Sequence, residues 1–129
     1  MAYRGIMWID KINSKLIVQN NAEDLIFIIR EAILNKRFSY IDIMKSITKG
    51  HGISSSEGCG YSLENDWDFR DEFDGVYFFI GDVESSKMNL IDFIFMINKI
   101  TESYLEHFPN DKEVRMVLDT INKRYSNPR

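Results

Sequence analysis

Apolar side chains recur at helical spacing in four stretches of the chain. Leu25, Ile28, Ile29, Ala32 and Ile33 make one face between about Ala22 and Asn35, with Asn21 as the expected cap and Asp24 in the first turn. Ile43, Met44 and Ile47 do the same between Tyr40 and Lys49, where Ser39 and Asp42 have capping-box spacing and Gly50 stops the helix. A longer stripe, Leu90, Phe93, Ile94, Ile97, Ile100, Tyr104 and Phe108, follows a cap at Asn89 and ends at Pro109. Val114, Val117, Leu118, Ile121 and Tyr125 then predict a last helix, with Asn110 as cap and Glu113 three residues on.

The pattern changes between the second and third of these helices. Residues 50–60 hold four glycines and the run Ser54-Ser55-Ser56, which predicts a loop around a short edge strand. Tyr61 to Leu63 reads as extended. Val76 to Ile80, apolar throughout and flanked by Gly75 and Gly81, is the best strand and is expected to be covered on both faces or central in its sheet. A short strand near Ser86 to Met88 pairs with it through the turn at Gly81 and Asp82. Residues 5–18 are apolar but too short to decide between strand and helix. The expected architecture is α+β: about four helices on a small antiparallel sheet, in one domain over residues 1–129.

Strictly apolar runs such as Leu25–Ile29 and Val76–Ile80 stop at five residues, against the roughly 20 that a membrane helix needs. Arg4, Asp10 and Lys11 interrupt the N-terminal stretch, unlike a secretory signal peptide. The single cysteine has no disulfide partner within the chain, which fits a cytosolic setting.

Charge alters the picture more. The formal net charge is −4, but residues 51–84 carry nine acids and one base. The densest part runs from Glu64 to Asp74, with six carboxylates and Arg70. Such a segment repels nucleic acid and anionic lipid and attracts a basic partner. Trp67, Phe69 and Phe73 alternate with the acids. On an extended chain this puts the aromatics inward and Asp66, Asp68 and Glu72 outward, with Phe73 in the core and Trp67 partly exposed.

Catalytic and metal chemistry lacks a matching pattern. His51 and Cys59 could act as base and nucleophile, but an orienting carboxylate and an oxyanion hole have no signature. Asp66 and Asp68 start like a calcium loop, yet Arg70, Asp71 and Tyr77 occupy its fifth, sixth and twelfth positions. No phosphate-binding glycine loop or dinucleotide fingerprint occurs. His107 sits at a helix end, and Met44, Met88, Met96 and Met116 fit apolar stripes. No enzyme activity, metal or cofactor is expected. A small hydrolase using carboxylates or Cys59 is the catalytic alternative.

The order Asp71-Glu72-Phe73-Asp74-Gly75-Val76-Tyr77-Phe78, an aromatic-rich helix, Tyr104-Leu105-Glu106-His107-Phe108-Pro109-Asn110-Asp111-Lys112 and a final helix resembles the immunity proteins of contact-dependent growth inhibition (CDI) systems. Within them it is similar to those paired with ribonuclease toxins, and Gly58-Cys59-Gly60-Tyr61 fits the same layout. The likeness covers about residues 22–125. It implies a bacterial cytoplasmic protein whose partner is the C-terminal nuclease domain of a cognate toxin, bound over its active site or RNA surface, with no direct nucleic acid or membrane contact. The charge argument, not the resemblance, selects the toxin-binding candidates: Glu64, Asp66, Trp67, Asp68, Asp71, Glu72 and Asp74. An acidic adaptor or nucleic-acid mimic for another basic partner is the alternative.

Overall fold

The computed structural model describes residues 8–126, so the expectation for residues 5–7 lies outside the described residues. Among the described residues the chain forms five α-helices and a four-stranded antiparallel sheet. The α+β expectation holds, with one helix more than expected. That helix, α1 (Ser14–Gln19), resolves the strand-or-helix ambiguity: Asn13 caps it by accepting from the amides of Lys15 and Leu16.

The next helices follow their apolar stripes. Helix α2 spans Glu23–Leu34 and α3 spans Tyr40–Thr48, the latter with the expected Ser39–Asp42 capping box. Asn21 is not the cap of α2. It lies in the left-handed region (φ 55°) and its side chain donates to the Lys87 carbonyl 3.2 Å away. Asn tolerates this conformation better than most residues. Asp24 accepts from the Ser86 hydroxyl at 2.6 Å, which ties the start of α2 to the sheet.

Strands β1 (Ser54–Ser56), β2 (Cys59–Tyr61), β3 (Val76–Ile80) and β4 (Val83–Met88) lie in the order β1-β2-β3-β4. The expected extended piece at Tyr61–Leu63 is shifted to Cys59–Tyr61, and the last strand starts three residues before Ser86. Both residues of the β3–β4 turn have positive φ, Gly81 at 61° and Asp82 at 69°. This is the turn twist that matches paired strands. Tyr61 pairs with Phe78 and Gly60 with Phe79. Because side chains alternate, Tyr61, Phe78 and Val76 share one face and Gly60, Tyr77 and Phe79 the other.

The first of these faces is the inner one. Tyr61 meets Phe78 and Phe93, with ring centroids 5.7 and 5.3 Å away, and α2 packs against β1 and β2. Helix α4 (Leu90–His107) carries Phe93, and α5 (Lys112–Tyr125) packs against α3 and α4. Trp8, Tyr40 and Tyr104 form an aromatic cluster with centroids 5.0–5.1 Å apart. Met44, Met88 and Met96 are buried as expected, but Met116 is 70% exposed, outside the stripe of Val114, Val117 and Ile121.

The break after α4 is present, but its cap is Asp111 rather than Asn110. Asp111 Oδ1 accepts from the Val114 amide at 3.1 Å, and Oδ2 accepts from the Tyr104 hydroxyl at 2.7 Å. Asp111→Ala should cost about 1–2 kcal/mol through the lost cap and the stranded hydroxyl. Asn110→Ala should change stability by less than about 0.5 kcal/mol. Urea unfolding of the two variants tests this, and equal effects would show that the cap is not where the geometry puts it.

Candidate functional site

The acidic segment leaves β2, crosses the outer face of the sheet and returns as β3. It is not extended. Two 3-10 turns, Glu64–Asp66 and Arg70–Glu72, fold it. The in-out alternation expected for a strand fails at Phe69, expected inside and 68% exposed. Asp66, Asp68 and Glu72 are exposed as expected, but the Asp66 carboxylate is also tied into the fold.

Asp66 Oδ2 accepts from the amides of Gly52 and Leu63, each at 2.8 Å, and Oδ1 accepts from His51 Nδ1 at 2.7 Å. Partial burial pushes the Asp66 pKa up, but the two amides and the His51 ring outweigh it and hold the carboxyl below its ordinary value. One carboxylate thus fastens the glycine-rich loop to the start of the acidic segment. Nearby Gly50 has φ 76°, and a Cβ there would strike the side chains of Glu64, Asn65 and Arg124 at 2.6–2.7 Å.

Glu64 and Asp74 are also consumed. Glu64 Oε2 accepts from Arg124 Nη2 at 2.6 Å, and the Tyr125 hydroxyl donates to the same carboxylate at 3.0 Å. This joins the segment to the end of α5. Asp74 accepts from Lys87 Nζ at 3.1 Å and from the Tyr77 hydroxyl at 3.0 Å. Those two bonds lower the Asp74 pKa.

Trp67 is half-buried on the outer sheet face. Its ring lies 5.7 Å from both Phe73 and Tyr77, and its Nε1–H donates to the Ser62 hydroxyl at 3.4 Å. Lys87 Nζ lies over the Tyr77 ring, 5.1 Å from its centroid. Phe73, expected in the core, is partly buried against it.

Three of the seven candidates remain open. Asp68, Asp71 and Glu72 are exposed and, among the described residues, make no ion pair or side-chain hydrogen bond. They lie within three residues of the exposed Phe69 along the chain, and Asp68, Phe69 and Glu72 line one surface depression with Ser62, Asp66 and Trp67. The pattern of acids and aromatics located this surface but did not separate its free carboxylates from its structural ones. Sequence reasoning missed Glu57 and Asp82 at turns of the sheet and Glu84 in β4, also exposed and without an ion pair among the described residues. They stand in the same acidic 51–84 stretch, and that was their only signal.

The candidate base and nucleophile have separate partners. His51 bonds Asp66, whereas Cys59 Sγ accepts from the Gly81 amide at 3.4 Å. Among the described residues, no three His, Cys, Asp or Glu side chains converge as metal ligands would, and no helix is long and apolar enough to cross a membrane. No protein-family model, curated protein or solved structure matches the chain.

Proposed function

We propose that this protein is a bacterial immunity protein of the contact-dependent growth inhibition type, acting in the cytoplasm. It binds the C-terminal domain of a cognate toxin, a ribonuclease, and masks the basic surface that would hold RNA. The observation that carries this reading is the set of unpaired carboxylates Asp68, Asp71 and Glu72 around the exposed Phe69. An aromatic anchor beside free negative charge suits a basic protein surface, because the ring gains from burial and the carboxylates replace phosphates. Stoichiometric binding needs no cofactor and no reacting group.

The test is co-expression with the C-terminal domain of a large toxin encoded beside the gene. A stoichiometric complex that loosens with salt, and loss of RNA cleavage in it, is the expected result. A toxin domain that neither co-purifies nor loses activity would overturn the reading. Capture of a different basic protein instead would favour an acidic adaptor.

A further inference from the structure

Trp67 lies beside Tyr77 on the outer sheet face, and in the neighbouring row Gly60 is buried against the Ile53 backbone while Phe79 is open to solvent. A depression of about 300 Å³ opens there, lined by Ser54, Gly60, Ser62, Phe79 and Asp82 among others. Phe79 is 37% exposed. Its cross-strand partner is Glu84, and the turn places Asp82 in the same depression. Both carboxylates are exposed and have no ion pair among the described residues.

Asp82 is held in place before any partner arrives. Its amide donates to the Gly58 carbonyl at 2.9 Å, and the adjacent Gly81 amide donates to Cys59 Sγ. The turn between β3 and β4 is thereby fastened to the turn between β1 and β2. An exposed aromatic side chain, a carboxylate on a fastened turn and a lining of glycine and serine make a slot for a flat cation. A guanidinium fits it better than an ammonium, because it stacks on an aromatic face and presents paired donors to a carboxylate.

We infer that this half of the sheet face seats an arginine side chain of the basic protein partner, stacked on Phe79 and paired with Asp82. The inference rests on the proposed binding role and adds a second contact to it. Ser62 lines both this depression and the one at Trp67, Asp68 and Phe69. One basic segment running across Ser62 reaches both.

The probe is a synthetic arginine–glycine repeat peptide, compared at low salt with its lysine and citrulline analogues by amide shifts of the labelled protein. The arginine peptide should move the amides of Gly58, Gly60, Phe79 and Asp82. The lysine peptide should bind at least about fivefold more weakly, and the neutral citrulline peptide not at all, as expected for a partly exposed cation–π and ion-pair contact. Phe79→Leu, which keeps an apolar strand residue, and Asp82→Asn, which keeps a residue tolerant of positive φ, should each weaken the arginine peptide by a similar factor. Equal binding of arginine and lysine peptides, shifts confined to residues 68–72, no shifts at all, or unchanged affinity in a folded Phe79→Leu variant would each overturn the inference. Toxin binding that survives both substitutions but is lost on reversing Asp68, Asp71 and Glu72 would overturn it while leaving the proposed function standing. Arginine-selective shifts at Phe79 without capture of any toxin domain would do the reverse.

Discussion

Asp66→Ala should destabilise the fold by roughly 2–4 kcal/mol, far more than an ordinary surface acid. Its carboxylate accepts from two backbone amides and a histidine. Removal strands the Gly52 and Leu63 amides, and each partly buried donor left without a partner costs about 1–3 kcal/mol. Gly52 has no freedom to move toward another acceptor, because its backbone is packed against the Tyr61 carbonyl. The same bonds give a pH signature. The folded pKa of Asp66 lies below its unfolded value, so its contribution is complete above the unfolded pKa of about 4. That contribution is lost as pH falls through the folded pKa. Wild type should therefore lose stability below about pH 4, and Asp66→Ala should lose less over that window. Urea midpoints at pH 7 and pH 3.5 for both proteins measure this. A variant within about 0.5 kcal/mol of wild type at pH 7 would place Asp66 among the ordinary surface acids.

This result turns on a distinction that composition does not carry. The helices were legible because burial imposes a period on neighbouring residues, and the stripes of α2 to α5 are local facts. Caps were legible where one candidate stood alone, as at Ser39 and Asn89. They were misplaced where Asn stands next to other residues of similar chemistry or in an untested backbone region. Asn110 and Asp111 both suit a cap, and the Tyr104 hydroxyl decides for Asp111. Strand β4 is short of apolar residues, so its length follows from pairing with β3 rather than from its own pattern. The acidic segment was legible as a surface and illegible as individual roles. Its consumed carboxylates are matched by residues 15 positions away at His51, 60 at Arg124 and 13 at Lys87. Partners that distant set which charges are free, and nothing local in Glu64–Asp74 signals them.

Reversing Asp68, Asp71 and Glu72 together to lysine should reduce affinity for the cognate toxin domain by at least about a hundredfold at low salt, which is 2.7 kcal/mol. Among the described residues, these three are the acids of the segment that no side chain pairs. The reversal turns a local attraction for a basic surface into repulsion and leaves Arg70 unopposed. Most of the loss should come from a slower encounter, because exposed charge of this kind steers association and is screened beyond about 10 Å at 0.1 M salt. Folding should survive, since none of the three holds another element and exposed substitutions usually shift stability by under about 0.5 kcal/mol each. Glu64, Asp66 and Asp74 must stay out of the variant: each bonds another part of the fold, and its loss would mix folding with binding. Surface plasmon resonance at two salt concentrations, with melting temperature as the folding control, measures both arms. Wild-type affinity should fall steeply between the two salts, and the variant's should change little or rise. Unchanged affinity in a folded triple variant would remove the acidic segment from the interface. The contact would then belong to the helices, where Ile91 and Met116 are 80% and 70% exposed.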